Sequence, residues 1–117
     1  MLLSRQNRLT RKSDFDRVFA AGGAVHDRVL SLRAAPGGEK SIRVGIICGK
    51  RVGGAVVRNR ARRRLRAAVR SLLPSIPVAW DILLVIRPPG ARATVAEFFY
   101  TLEELLRRRK LAEAREE

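Results

Sequence analysis

The sequence has little of what catalysis or metal binding requires. Of its 117 residues one is cysteine and one is histidine, Cys48 and His26. One cysteine cannot form an internal disulfide, and a zinc site needs a cluster of ligands that is missing here. Cys48 is expected to be a small buried hydrophobe and His26 an isolated surface residue. We therefore expect no catalytic residues on the protein, no protein-bound metal and no cofactor.

Long apolar runs are also missing. No stretch approaches the roughly 20 residues of a spanning helix, and the start of the chain turns polar too soon for a signal peptide. We therefore expect a cytoplasmic protein with no membrane association. Hydrophobic residues make up 46% of the chain and aromatic residues only 5%, which predicts one folded domain over residues 1–117 with an aliphatic core.

Acidic residues are scarce. Eleven Asp and Glu face 25 Lys and Arg, for a net charge of +14, and six of the acids lie at or after Glu97. A domain this basic repels itself unless a polyanion neutralises it. The partners to consider are a nucleic acid, an acidic protein and, least of all, an anionic membrane.

The first half of the chain predicts a short helix and two strands. A basic segment, 1–12, precedes Ser13, which with Asp16 resembles a weak helix-capping pair. The helix should end before Gly22. Strands are expected at 29–34 and 42–48, joined as a hairpin by a turn at 36–40, and residues 50–52 extend the second strand or add a short third one.

The second half predicts helix, strand, helix. Helical periodicity runs over 55–73 and ends at prolines, and the apolar run 81–86 is typical of a strand covered on both faces. Thr94 and Glu97 form a capping box for the last helix, and the tail 112–117 is expected to fray. The inner face of that helix should contain Val95, Phe98, Leu102, Leu105 and Leu106. This order predicts an α/β (α+β) two-layer sandwich, α-β-β-(β)-α-β-α.

The segment 57–70 holds seven arginines and no acid. On a helix, one stripe is apolar and docks on the sheet, and the arginines collect beside it. Ordinary solvated faces interleave acids with bases, so we interpret this face as a polyanion-binding surface. The pattern alone does not separate RNA from DNA. The polar residues concerned are Arg58, Asn59, Arg60, Arg62, Arg63, Arg66 and Arg70.

Phe15 and Phe19 lie one helical turn apart on the first helix. This spacing is compatible with two interpretations of the pair. Both can be core anchors, or one can lie in a cleft against the sheet and stack on a base of a single strand.

Taken together, these segments resemble the bacterial ribonuclease P protein family over nearly the whole chain. The resemblance rests on the motifs Asp14-Phe15, Val18-Phe19, Val44-Gly45-Ile46, Lys50-Arg51-Val52-Gly53, Arg58-Asn59-Arg60 and Ile86-Arg87-Pro88. It implies a fold like ribosomal protein S5 domain 2, with a left-handed βαβ crossover. The sequence departs from the family pattern at Ile47, Gly49 and Gly54.

The resemblance also implies a function. The protein would be the monomeric protein subunit of a ribonucleoprotein whose RNA subunit, with Mg²⁺, removes the 5′ leader of precursor tRNA. The seven residues of the arginine-rich helix would contact the RNA subunit. The residues implied to bind the precursor-tRNA leader are Phe15, Phe19, Arg11, Arg33, Lys50 and Arg51. The alternatives are a structural ribosomal-type RNA-binding protein and a sequence-specific DNA-binding protein, although the helix lacks the mixed polar residues that read base edges.

Overall fold

The structure, a computed structural model, describes residues 5–21, 23–37, 41–76 and 80–109. It contains three helices and four strands, with short 3₁₀ turns between them. The helices are α1 (Lys12–Ala20), α2 (Ala55–Leu72) and α3 (Val95–Arg108). The strands are β1 (Val25–His26), β2 (Leu30–Pro36), β3 (Arg43–Cys48) and β4 (Trp80–Ile86). The mixed α+β architecture predicted from the sequence is confirmed.

The strands form one sheet in the order β1-β2-β4-β3. Strand β4 is antiparallel to β2 and parallel to β3, so the predicted hairpin between β2 and β3 is wrong. The reason is that β4 is apolar on both faces and is most stable in a central position, where both its edges and both its faces are covered. It therefore lies between β2 and β3, although both precede it in the sequence.

Helix α2 connects the parallel neighbours β3 and β4, as the predicted βαβ crossover requires. The left hand of that crossover stays a prediction. The 3₁₀ turn Lys50–Val52 occupies the place where a strand extension was expected, and the two-residue strand β1 was not predicted. Part of the expected turn at 36–40 and the expected fraying of 112–117 lie outside the described residues.

Side chains alternate between the two faces of the sheet. Leu32 and Leu84 face α2 and α3 in the larger core. Leu83 and Ala35 face the other way and form a small second core with Val18 of α1. The predicted sandwich of sheet and helices therefore carries an additional short helix, α1, on the opposite face of the sheet.

The helix ends only partly follow the sequence-based predictions. The Thr94 side chain accepts a hydrogen bond from the Glu97 amide at 3.0 Å, and the Glu97 carboxylate accepts one from the Thr94 amide at 3.2 Å, so this capping box is confirmed. Ser13 does not cap α1, which already begins at Lys12, and Asp16 pairs instead with Lys12 at 2.9 Å. Val95, predicted to be internal, is 41% exposed.

Candidate RNA-binding surfaces

Helix α2 separates its apolar and basic residues as predicted. Its buried residues are Ala61, Leu65, Ala68, Val69 and Leu72. Val57, at the start of the same stripe, is only partly buried. With the apolar stripe against the sheet and α3, the polar side of α2 faces outward. We call the following set the arginine surface: Arg58, Asn59, Arg60, Arg62, Arg63, Arg66 and Arg70.

Some members of the arginine surface are held by contacts within the protein. The Arg58 Nε atom donates a hydrogen bond to the Gly53 carbonyl at 3.1 Å. Arg62 donates to the Asn59 side-chain oxygen at 3.0 Å and to the Cys48 carbonyl at 3.3 Å. Arg63 is exposed. Because some guanidinium groups are fixed and others reach into solvent, the surface is partly preorganised for an anionic partner.

No acid neutralises the arginine surface among the described residues. The ion pairs found in this part of the chain engage other bases: Lys12, Arg17, Arg28, Arg43, Arg107 and Arg108. Guanidinium groups without a carboxylate partner remain available to bind phosphate oxygens, often through two parallel hydrogen bonds. This surface is therefore suited to a polyanionic partner.

Cys48 lies beneath the arginine surface. It is 5% exposed, as expected for a small buried hydrophobe. Burial raises the pKa of the Cys48 thiol, although Arg62 and Arg58 oppose the shift. A protonated, buried thiol is a poor nucleophile and a poor metal ligand.

A second candidate surface lies where α1 crosses the sheet. Phe15 lies against Gly45 of β3, where a Cβ atom would be 2.7 Å from the ring. Beside it the N-terminal segment runs along the edge of β3, with the Leu9 amide donating to the Val44 carbonyl at 3.0 Å. The ring forms part of a groove of about 170 Å³, which we call the β3-edge groove. Its lining residues are Arg8, Leu9, Thr10, Phe15, Val44, Gly45, Ile46 and Arg66.

Phe19 lies at the other end of α1, beside β2. It is 43% exposed, and the guanidinium carbon of Arg33 is 5.1 Å from the centre of its ring. Within the sheet Arg33 of β2 pairs with Leu83 of β4, which pairs with Gly45 of β3. Phe19 therefore lies beside β2 and Phe15 lies over β3, with β4 between them. The exposed ring with a cation over one face is a suitable platform for a base.

The next row of the sheet is only partly buried. Ser31, Val85 and Ile47 pair across the three strands and are each partly exposed. They form a partly exposed strip of the sheet, which we call the sheet channel, and Phe19 borders the row beside it. A half-exposed floor of small and aliphatic side chains next to an aromatic ring suits a single strand without demanding a particular sequence.

The remaining basic residues predicted for the leader lie around α1 and the sheet. Arg11 directly precedes α1 and is exposed, and its carbonyl accepts the Phe15 amide at 3.1 Å. Lys50 and Arg51 lie in the 3₁₀ turn after β3, beyond Ile47, and are also exposed. Arg11 thus lies at the start of α1, whereas Lys50 and Arg51 lie after the end of β3, so these bases do not form one cluster.

The position of α1 depends on a buried carboxylate that the sequence analysis missed. Asp81 is fully buried and accepts hydrogen bonds from Arg43 at 2.9 and 2.8 Å. Arg17 of α1 also donates to Asp81, and Arg43 donates to Asp14 of α1 at 3.3 Å. The hydrogen bonds to Asp81 raise the pKa of Arg43. The network therefore fixes α1 to the sheet by charge as well as by packing.

A signal for this network was present in the sequence. Asp81 immediately precedes the apolar run 82–86 of β4, and a carboxylate there needs a cationic partner when it is buried. Its partner Arg43 is 38 positions away, a separation at which spacing carries no information about pairing.

Neither a metal-binding cluster nor a membrane-spanning helix is found among the described residues. No group of three or more His, Cys, Asp or Glu residues there could hold a metal ion. His26 is exposed, and its Nδ1 atom is 2.8 Å from the Ser31 hydroxyl. Within residues 5–109, apart from the undescribed positions, no helix has both the length and the apolarity to cross a bilayer.

A family model and individual relatives of this chain point to the same protein family. The family model described as Ribonuclease P matches residues 3–110. The ribonuclease P protein component of Chloroflexus aggregans is 48% identical over 74% of this chain, which spans 64% of that protein. The component from Dehalococcoides mccartyi is 38% identical over 89% of this chain and 85% of its own.

Solved structures share the fold. The RNase P protein of Staphylococcus aureus superposes with a TM-score of 0.81 at 27% identity, covering 92% of this chain and 98% of its own. The RNase P protein of Thermotoga maritima, solved in complex with 1-(4-fluorophenyl)-2-thiourea, gives a TM-score of 0.77 at 26% identity. That match covers 86% of this chain and 98% of the Thermotoga chain.

Proposed function

The chain belongs to the ribonuclease P protein family, and we propose that it is the protein subunit of a ribonucleoprotein that removes the 5′ leader from precursor tRNA. In this proposal the RNA subunit and its bound Mg²⁺ perform the hydrolysis. The protein contributes binding, and it works in the cytoplasm as one copy per RNA subunit. The observation that carries the proposal is the arginine surface, which has no acidic partner among the described residues.

The arginine surface would bind the RNA subunit. Its guanidinium groups lie between Arg58 and Arg70 of an 18-residue helix, so they can contact successive phosphates without a large loss of side-chain freedom. Arg58 and Arg62 are already oriented by the Gly53 and Cys48 carbonyls. Such contacts would position the protein on a folded RNA without reading its sequence.

The opposite face of the sheet would bind the leader. The exposed Phe19 ring can stack on a base, and the sheet channel beside it can hold the neighbouring nucleotides. Arg11, Arg33, Lys50 and Arg51 would follow the backbone. The Phe15 ring, packed on Gly45, has a mixed role: it supports α1 and forms a wall of the β3-edge groove.

Reconstitution tests the proposal. The purified protein should bind its RNA subunit and increase precursor-tRNA cleavage by that RNA at low Mg²⁺. The protein freed of RNA should not cleave precursor tRNA. Cleavage by RNA-free protein, or an RNA subunit whose activity and substrate affinity are unchanged by the protein, would contradict it.

A ribosomal-type RNA-binding protein is the second candidate, because the arginine surface alone would serve it equally well. It leaves the exposed Phe19 and the sheet channel without a role. The two candidates differ in the RNA that accompanies the protein from cells. Copurification with a large non-ribosomal RNA supports the first, and copurification with ribosomal RNA supports the second.

A further inference from the structure

A pocket of about 450 Å³ lies at the carboxyl ends of the parallel strands β3 and β4. The turns that follow these strands, Lys50–Val52 and Pro88–Arg92, supply most of its wall. Val52, Pro88 and Pro89 form an apolar side, and Arg28, Arg92 and Glu97 provide charged groups. None of these residues belongs to the arginine surface or to the leader-binding residues described above. The volume is in the range that holds a small organic ligand such as a nucleotide.

The pocket is held in shape by a close contact at Gly90. A Cβ atom at this buried glycine would lie 2.6 Å from the Ile86 Cγ2 atom and 3.1 Å from the Val29 carbonyl oxygen. The Gly90 amide also donates to the Arg87 carbonyl at 2.7 Å. The turn therefore packs directly on the ends of β2 and β4, and the prolines before it are fixed in place.

The carboxylate of Glu97 is oriented from two sides. One oxygen accepts the Thr94 amide at 3.2 Å, and the other accepts an Arg28 nitrogen at 3.1 Å. Each oxygen keeps a second lone pair, so the carboxylate can still accept two neighbouring donors. Arg92 is exposed and has no hydrogen-bond or ionic partner among residues that the structure describes. It is available for a phosphate.

We propose that this pocket binds an unpaired guanine nucleotide of the RNA subunit. The base would lie against Val52 and the prolines, and its adjacent N1–H and N2–H groups would donate to Glu97. Arg92 would bind its phosphate. Among the bases, guanine presents two neighbouring donors on its Watson–Crick edge, which match the two oxygens of a carboxylate. This inference rests on the proposed function.

The RNA subunit is the partner favoured by the location. Arg64 of α2 donates to the Ala93 carbonyl at 3.2 Å, directly beside Arg92, so the rim of the pocket is joined to the arginine-rich helix. Val52 precedes the first turn of α2. The sheet channel and Phe19 lie on the α1 face of the sheet, whereas α2 packs on the other face.

Tethered hydroxyl-radical cleavage locates the nucleotide. Ala96 is exposed beside Glu97 and does not line the pocket, so an iron chelate attached through Ala96→Cys, in a Cys48→Ala background, leaves the pocket intact. In the assembled holoenzyme, cleavage should fall on one unpaired, guanine-containing stretch of the RNA subunit. Cleavage confined to precursor tRNA or to paired RNA, or no cleavage at all, would overturn the proposal.

Glu97→Gln then tests the contact. Glutamine preserves the capping box but cannot accept both donors. Affinity for the RNA subunit should fall at least about fivefold, the lower bound for a lost bidentate base contact. Glu104→Gln, an exposed acid elsewhere on α3, is the matched control and should bind as the parent does. Unchanged binding by Glu97→Gln would contradict the proposal.

Replacing the mapped guanine by inosine, which lacks the N2 amino group, separates recognition from stability. Inosine should weaken binding to the parent protein but cause little further loss with Glu97→Gln. If inosine weakens binding by the same factor in the parent and in Glu97→Gln, Glu97 has a purely structural role and the proposal is overturned. If replacing Arg63 and Arg66 weakens RNA binding while Glu97→Gln does not, the pocket proposal alone fails. If neither the Arg63 and Arg66 replacement nor Glu97→Gln weakens RNA binding, the proposed function fails as well.

Discussion

The Phe15 ring occupies the space that a side chain at Gly45 would need, with its Cε1 atom 2.7 Å from the Cβ position. The Gly45→Ala variant must therefore displace the ring or the helix that carries it. We expect a loss of about 1–3 kcal/mol of stability and a weaker preference for precursor over mature tRNA. Thermal unfolding and paired binding measurements test this. Gly49→Ala, where nothing lies within 4 Å of the added carbon, is the control. Parent-like behaviour of Gly45→Ala would contradict the contact.

Phe19→Ala should affect substrate binding more than stability. Because the side chain is 43% exposed, its truncation should cost roughly 1–2 kcal/mol of stability, less than a core phenylalanine. Loss of one stacked base, about 1–3 kcal/mol, should weaken precursor-tRNA binding and leave mature-tRNA binding nearly unchanged. Tyr100→Ala, at a 67% exposed residue of α3, is the control. A folded Phe19 variant that retains the parent's preference for precursor would exclude the stacking role.

Arg63 and Arg66 are the better pair for testing phosphate contacts, because Arg62 also binds the Cys48 carbonyl. Replacing both with glutamine should reduce the slope of log K against log salt for the RNA subunit by roughly one to two units. The same replacements at Arg107 and Arg108, in the last turn of α3, remove equal charge and should leave the slope near the parent value. Equal changes in both variants would mean that only net charge matters.

Asp81→Asn should destabilise the fold strongly. Arg43 is mostly buried and would lose its charged partner, a change that typically costs about 3–5 kcal/mol. Chemical denaturation measures the loss. Asp16→Asn removes an exposed acid paired with Lys12 and should cost at most about 1 kcal/mol. A similarly small effect of Asp81→Asn would mean that packing alone holds α1 in place.

Cys48 should resist alkylation in the native protein. Burial raises the pKa of its thiol, so the folded state favours the protonated form. Stability from this preference is complete below the unfolded thiol pKa of about 8.5 and declines as the pH rises above it. Iodoacetamide labelling at pH 8, followed by mass spectrometry, should be slow in buffer and fast in urea. Rapid labelling of the folded chain would contradict the buried environment.

Local patterns were sufficient to predict helices α2 and α3, the first of which carries the arginine surface. Helix α2 was expected over 55–73 and is observed as Ala55–Leu72, because its apolar stripe and its terminating prolines are encoded within the segment itself. The capping box of α3 is local in the same way. The separation of arginines from apolar residues on α2 followed from helical geometry alone.

Long-range pairing could not be predicted in this way. The central position of β4 depends on its competition with β3 for the edge of β2, and alternation within a strand does not identify its neighbour. The spacing of Phe15 and Phe19 placed both on one side of α1. It could not show that one lies over β3 and the other beside β2, because that depends on the angle at which α1 crosses the sheet.

The central position of β4 has a consequence for synthesis. When β2 and β3 have left the ribosome, β4, which pairs with both of them, has not yet been translated. Each of the two strands then has an unpaired edge. Asp81, which anchors α1, arrives on the same late strand. The basic helix α2 is therefore translated before the sheet that supports it can close, and chains stopped before residue 80 would carry open strand edges that favour aggregation.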